Sequence, residues 1–351
     1  MRLEKKSRLV VANSVPAQSR MLPAFILEQY HEAFTFIHLH ILKEISWKQL
    51  EAAILDRQDE FLTGLGIYAA VLPQLCSQLV GGDLRQSLPA TAAWILSDLS
   101  SDVFDDVQDR DGKDRVWNQW QPHVAISVGL ALLFAAQRCL AHIETSHRAM
   151  AEISRRWADT GMLAAHAQSF CQSNPPTIKR YFEQLIAKSG TIFSTVAWTG
   201  AYIGAGASTE LAAIEEYGLN LGILIQLRDD CRDMTSQQVL GDLQQGEFTL
   251  PVLHGLQMKE HPLHSRLTSL CFSQERLSEK TSSTIIGMLD EMQAFSFTLR
   301  VADAYRARAV SALSGFDLEE ARYLREYAEH VFASIVPRLA SANRVCPGGE
   351  V

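Results

Sequence analysis

Two short acidic runs carry the residues best suited to chemistry. Asp105, Asp106 and Asp109 stand in S-S-D-V-F-D-D-V-Q-D-R-D, and Asp229, Asp230 and Asp233 stand in I-Q-L-R-D-D-C-R-D-M. Both runs read D-D-x-x-D. On an α-helix, residues three and four apart share a face, so each run sends several carboxylates in one direction. Carboxylates this close repel one another, and a hard divalent cation relieves that repulsion. Mg²⁺ takes carboxylate oxygens and waters and keeps coordination positions for a substrate phosphate. Two such helices would hold a polyphosphate between metal ions. Either run alone reads more readily as a solvated helix face. The second run extends an apolar segment containing Tyr217, Gly218, Leu219, Leu221, Gly222, Ile223, Leu224, Ile225 and Leu227. Charge that continues a core must be paired or metal-bound.

The elements that position these runs read as helices almost throughout. The pattern predicts helices over 24–42, 47–57, 61–79, 87–109, 121–142, 146–171, 176–204, 209–234, 249–259, 282–310 and 318–340. No alternating strand run or N-G or D-G hairpin interrupts them. Gly81-Gly82-Asp83 separates the third helix from the fourth, Pro175-Pro176-Thr177 opens another, and Asp317 with Glu320 forms a capping box for the last. Residues 1–22 read as a flexible arm, 23–340 as a single all-α domain, 235–248 as a flexible loop and 341–351 as a frayed tail. A net charge of −8 gives a nucleic-acid partner no electrostatic support. The six cysteines form no C-x-x-C pair, which excludes zinc-finger and thioredoxin-like readings. Val124–Ala136 is shorter than the roughly 20 residues of a membrane span and reads as a buried helix. With no convincing secretory signal, the chain reads as cytoplasmic.

Taken in order, these features resemble the trans-isoprenyl diphosphate synthase family, or polyprenyl synthetases, of the class I isoprenoid synthase fold. The similarity covers roughly residues 60–260. Asp105-Asp106-Val107-Gln108-Asp109 matches the first aspartate motif, and Lys188-Ser189-Gly190 matches a downstream K-T-G. Ile225-Gln226 matches a phenylalanine-glutamine in part, and Asp229-Asp230-Cys231-Arg232-Asp233 matches the second aspartate motif. Asp242, Gly246, Thr249 and Pro251 match a trailing D-x-x-x-G-K-x-T-x-P. The resemblance implies a helical bundle around a central apolar cavity, assembled as a homodimer. It also implies that about three Mg²⁺ ions, held by the two runs, grip the diphosphate of an allylic prenyl substrate. Departure of pyrophosphate then leaves an allylic cation in a cavity that excludes water.

The departures from the family pattern bear on the acceptor. Chain-elongating members carry G-G-K-R-x-R-P before the first motif, and that basic group holds the diphosphate of isopentenyl diphosphate. Here the stretch is Gly64-Leu65-Gly66-Ile67-Tyr68-Ala69-Ala70, with no lysine or arginine. The family's glutamine-x-x-aspartate is His166 to Ser169, its R-R is Asp114-Arg115, and its G-K is Gly246-Glu247. Metal groups are kept while second-substrate groups are lost, so ionisation is expected without ordinary elongation. Terpene-synthase-type cyclisation or elimination is the first expectation. Prenyl transfer to another acceptor, a peptide or a small molecule, is the second. Leu99–Trp117 also looks like the bacterial pheromone-modifying prenyltransferases, although their second motif is usually degraded. Residual elongation and a non-catalytic subunit of a synthase heterodimer complete the alternatives.

Asp105, Asp229 and Gln226 are the candidate catalytic residues, and the six motif aspartates are the candidate metal ligands. Lys188, Arg115 and Arg228 are candidates for the diphosphate; an exposed helix lysine and plain ion pairing with a carboxylate are the other readings. Gln226 lies three residues before Asp229 on roughly the same face. Asp98 and Asp102 extend the first run by helical turns, either as support for it or as solvated charge. Ser100, Ser101 and Phe104 are candidates for the prenyl pocket, since the resemblance puts the pocket floor in that turn. Small serines there imply an open floor and a chain of roughly C15 to C20 or longer.

Overall fold

The computed structural model describes residues 23–61, 66–109, 115–169, 177–234, 243, 247–273 and 279–342. Among them the secondary structure is helical and no strand occurs, as the sequence pattern predicts. In chain order the helices are α1 (Ala24–Ile37), α2 (Lys48–Phe61), α3 (Gly66–Ala70), α4 (Leu72–Leu79), α5 (Leu84–Asp109), α6 (Pro122–Leu140), α7 (His147–Gln168), α8 (Ile178–Leu185), α9 (Thr191–Ile203), α10 (Ser208–Asp233), α11 (Leu250–Gln257), α12 (His264–Cys271), α13 (Glu279–Glu291), α14 (Ala294–Ala312) and α15 (Glu319–Ala342). Two π-helical turns, His38–Leu42 and Ile186–Gly190, extend α1 and join α8 to α9, and a 3₁₀ turn covers Val116–Gln119.

Several boundaries differ from the sequence reading for local physical reasons. The 61–79 stretch divides at Val71, just before Pro73, whose missing N–H cannot continue the preceding turn. The 282–310 stretch breaks where Gln293 adopts a left-handed φ of 57°. Helix α12 escaped notice because H-S-R-L-T-S-L-C is short and only weakly periodic. The last helix begins at Glu319, one residue after the predicted 318. Helix α15 runs two residues past the predicted boundary at 340. The predicted arm at 1–22, most of the 235–248 loop and the tail beyond 342 lie outside the described residues.

The chain divides into two compact units, Met1–Val71 with Thr91–His142, and Leu72–Ala90 with Ile143–Val351. In the first unit, α2 packs on α3, α6 and the 3₁₀ turn. Ile26, Tyr30, Ile37, Leu50, Ile54, Leu96, Leu99, Val128 and Leu132 form its core. Helix α6 is longer than the apolar run 124–136 implies. It has 19 residues of mean hydropathy 1.6 and passes the length and composition test for a membrane span. It nevertheless buries Ala125, Val128, Gly129 and Leu132 on one face and exposes Ile126, Leu130, Leu133 and Phe134 on the other.

In the second unit, α10 packs against α9, the π turn, α14 and α15. Two glycines make the closest of these approaches possible. A Cβ at Gly218 would lie 2.5 Å from the Phe193 carbonyl oxygen, and one at Gly222 would lie 2.5 Å from the Ser189 carbonyl oxygen. Real Cβ atoms do not come that near, so the helices meet backbone to backbone. The turn into α5 is made at Gly81, with φ of 81°, where any side chain would be strained. Helices α7 and α8 are N-capped by Ser146 and Thr177, whose side chains accept from the Ala149 and Arg180 amides. Proline and threonine thus open α8 near the predicted point, although Pro175 and Pro176 themselves are not described.

Candidate active site

The first acidic run occupies the C-terminal end of α5. Asp106 is half-buried, and two donors converge on one of its oxygens. The Trp117 indole N–H donates to Asp106 Oδ2 at 2.7 Å, and the Asn118 amide donates to the same atom at 3.2 Å. Burial raises the Asp106 pKa, while these two donors pull it down. Asp105 is also half-buried. The Asp109 backbone closes α5, and its side chain lies outside the described residues.

One to two turns earlier on α5, Asp98 and Asp102 meet a guanidinium that the sequence reading missed. Arg57 of α2 is 4% exposed. It pairs with Asp102, with Glu60 at 2.8 Å and with Asp98 at 3.6 Å. Burial opposes the charge on Arg57, but Asp102 and Asp98 outweigh it and raise its pKa. Burial pushes the Asp98 carboxyl up to about 7, with Arg57 opposing. Asp98 and Asp102 therefore share a structural partner in Arg57 while their side chains stay partly exposed. Arg115, predicted for the diphosphate, reaches Glu60 at 2.5 Å and Asp56 at 3.6 Å. Its guanidinium carbon lies 5.5 Å from the centre of the Trp117 ring.

The predicted pocket residues diverge. Ser100 is buried, and its hydroxyl donates to the Gly129 carbonyl of α6 at 2.9 Å. The Phe104 ring lies against the same Gly129, 3.0 Å from where a Cβ would stand. Ser101 is exposed and bonds back to the Ser97 carbonyl at 3.1 Å. Two of the three thus face α6, and a bulky side chain at position 100 meets helix backbone there.

The second acidic run closes α10. Tyr181 of α8 is buried, and its hydroxyl donates to Asp230 Oδ2 at 2.5 Å. Burial first, then the Asp230 charge, raise the Tyr181 pKa well above the phenol range, so the hydroxyl keeps its proton. Gln226 Nε2 donates to Asp230 Oδ1 at 3.1 Å, and Ser189 Oγ donates to Gln226 Oε1 at 2.9 Å. Gln226 is thereby fixed as a support for Asp230. Ser189 and Lys188 lie on the π turn Ile186–Gly190, a distortion that recurs at functional sites. Arg228, read as pairing with either the diphosphate or a carboxylate, grips Asp229 through two bonds of 3.1 and 3.0 Å. Burial opposes the Arg228 charge and Asp229 outweighs it, raising the pKa. The Asp233 and Arg232 side chains lie outside the described residues.

Among the described residues, no three His, Cys, Asp or Glu side chains are gathered closely enough to cage a metal. Mg²⁺ uses one or two carboxylates and fills its octahedron with water and substrate phosphate. Asp106 fits that use, since both of its donors fall on Oδ2. Trp117, Asn118, Tyr181 and Arg57 went unnoticed in the sequence because each meets its acidic partner across a gap with no periodic signature.

A family model described as polyprenyl synthetase matches residues 91–287, which include both acidic runs. The chain belongs to that family. It is 31% identical over 198 residues to the geranylgeranyl diphosphate synthase of Methanosarcina mazei, covering 52% of this chain and 61% of that enzyme. It is 26% identical over 264 residues to a short chain isoprenyl diphosphate synthase of Methanothermobacter thermautotrophicus, covering 72% of this chain and 80% of that one. In fold it is similar to the geranylgeranyl pyrophosphate synthetase of Geoglobus acetivorans, with a TM-score of 0.74 and 22% identity over 88% of this chain and 99% of that chain. The Corynebacterium glutamicum geranylgeranyl pyrophosphate synthase, solved with calcium and isoprenyl diphosphate, gives a TM-score of 0.71 at 19% identity over 89% of this chain and 98% of that chain. These relatives are named as prenyl diphosphate synthases, so they support prenyl transfer and not the cyclisation or elimination that the missing basic run led us to expect.

Proposed function

We propose that this chain is a Mg²⁺-dependent prenyltransferase that ionises an allylic prenyl diphosphate. The observation that carries the reading is the pair of D-D-x-x-D helix ends, each with one carboxylate oriented by fixed neutral donors. On the first, Trp117 and Asn118 hold Asp106; on the second, Tyr181 and Gln226 hold Asp230. Asp105, Asp106, Asp109, Asp229, Asp230 and Asp233 would hold the ions, about three by family resemblance. When bound, the ions supply Lewis-acid neutralisation of the leaving pyrophosphate. Lys188 would meet the diphosphate directly, and Arg228 would do so only on releasing Asp229. The allylic C–O bond breaks with both electrons leaving on the diphosphate. The acceptor's π electrons then form the new carbon–carbon bond, and a proton leaves.

The named relatives make isopentenyl diphosphate the first acceptor to test. A second reading, an acceptor without a diphosphate, is favoured by the charge balance in the first unit. Arg57 and Arg115 are both held by carboxylates, and the Gly64–Ala70 stretch has no lysine or arginine. The exposed stripe on α6 is consistent with a homodimer.

The test supplies Mg²⁺ with geranyl, farnesyl or geranylgeranyl diphosphate, each with and without isopentenyl diphosphate. Pyrophosphate, hydrocarbons and longer diphosphates are measured separately. Longer diphosphates formed only with isopentenyl diphosphate establish elongation. Pyrophosphate released at the same rate without it, with hydrocarbon or prenyl alcohol as the product, counts against elongation and shows ionisation that needs no second diphosphate. No pyrophosphate from any combination rejects the reading.

A further inference from the structure

A second group of metal-capable side chains lies in the first unit and uses neither acidic run. The π turn His38–Leu42 that extends α1 brings His40 against His142, which stands just past the end of α6. Their ring centres are 4.5 Å apart and the planes are tilted by 55°, so the rings do not stack. Phe36 packs on both, 4.2 Å from the centre of His40 and 5.6 Å from that of His142. Beyond the turn, Glu44 pairs with Arg138 of α6, so the same two segments are tied twice. Among the described residues, neither imidazole makes a hydrogen bond. Partial burial first, then His40 and Arg138, holds the His142 pKa below the usual imidazole range, with Glu44 opposing. That favours the neutral ring, which is the form that binds metals.

The spacing matches two imidazoles that share one cation. A metal–nitrogen bond of about 2.0–2.1 Å puts a ring centre about 3.2 Å from the metal, so two rings at a right angle about it have centres about 4.5 Å apart. A tetrahedral angle would set them about 5.2 Å apart. The observed 4.5 Å therefore suits neighbouring positions on a square or octahedral ion, the geometry of Cu²⁺ and Ni²⁺, which also favour imidazole. We propose that His40 and His142 form a two-imidazole site for a divalent transition cation of this kind, with water in the remaining positions. An ion bound there joins the end of α1 to the end of α6. The proposal is independent of the functional reading given above.

The test uses the full chain without a polyhistidine tag and Ni²⁺ as the probe. Binding is followed by calorimetry at pH 7.5, with Mg²⁺ in excess to occupy the acidic runs. Wild type is expected to bind Ni²⁺. Loss of a group that merely supports a ligand costs 10- to 100-fold in metal affinity, so loss of a ligand, in His40→Ala or His142→Ala, should cost about 10-fold or more. His38 lies on the same π turn but outside the ring contact, and His38→Ala should leave the affinity unchanged. Saturating Ni²⁺ should raise the melting temperature of wild type and of His38→Ala, and leave that of His142→Ala where it was. Affinity of His142→Ala within about twofold of wild type would overturn the proposal, as would an equal loss in His38→Ala. Wild type that fails to bind Ni²⁺ also overturns it. If His40→Ala loses its helical signal, the exposed His142 decides alone through His142→Ala.

Discussion

Replacing Arg57 with methionine isolates what the buried guanidinium does for the first acidic helix. Arg57 is 4% exposed, and its removal leaves Glu60, Asp98 and Asp102 facing one another. Breaking a buried ion pair by deleting one partner costs about 3–5 kcal/mol. Asp98 and Asp102 keep side-chain exposures of 30% and 39%, so water compensates in part and the lower end, about 3 kcal/mol at pH 8, is expected. The cost depends on pH in a defined sense. The Asp98 carboxyl lies at about 7 in the folded chain, above its unfolded value of about 3.9. The folded state therefore holds the extra proton between those values, and stability falls as pH rises through that window. Arg57 lowers the Asp98 pKa, so its loss moves the upper edge of the window above 7. At pH 6 a mostly protonated Asp98 has less need of the cation, and the penalty should be smaller by about 1 kcal/mol. Urea titrations of wild type and Arg57→Met at pH 6 and pH 8, followed by helical circular dichroism, measure both quantities. A penalty below about 1 kcal/mol at pH 8 refutes the reasoning, as does one that is equal or larger at pH 6.

Three other outcomes follow from the same geometry. Tyr181→Phe removes a hydrogen bond to a charged carboxylate and should cost about 1.5–3 kcal/mol, seen in the urea midpoint, while raising the Mg²⁺ needed for half-maximal pyrophosphate release. Gly222→Ala sets a methyl group 2.5 Å from the Ser189 carbonyl oxygen; thermal melts should show about 1–3 kcal/mol of destabilisation, and an unchanged melting temperature would mean that the helices can separate without cost. Phe134 is 69% exposed on an apolar stripe of α6, so Phe134→Asp should convert a homodimer to monomer in sedimentation velocity; a wild-type monomer at the same concentration removes the homodimer from the proposal.

The helical architecture was legible because apolar residues recur at helical spacing and glycine or proline marks many of the breaks. It failed where the deciding signal was weak or non-local. Gln293 takes a left-handed conformation that no local motif requires, and α12 has only a short polar repeat. The acidic runs were legible for a different reason, since closely spaced carboxylates are costly unless they have a use. Their supports were not. Arg57 carries no motif of its own on α2, and only folding brings it to Asp98 and Asp102. Arg115 and Arg228 were predicted for a diphosphate because of their places near the motifs. For Arg228 the other reading, pairing with a carboxylate, is what the structure shows at Asp229, whereas no local pattern links Arg115 to Glu60. The missing basic run pointed to cyclisation, yet the relatives matched by the rest of the chain are prenyl diphosphate synthases.

Gly218, Gly222, Gln226 and Asp230 recur every fourth residue along α10, so the two glycines that admit the neighbouring backbone stand on one ridge with the amide and carboxylate of the proposed site. The depth at which α10 seats itself thereby sets the reach of Asp230, much as the seating of a key sets the height of its teeth. Bulk added at either glycine cannot be absorbed as a mere loss of stability that a better core elsewhere would restore. It lifts the carboxylate with the helix, and, if Asp230 serves the proposed metal site, a variant made robust again by distant substitutions would still hold its metal in the wrong place.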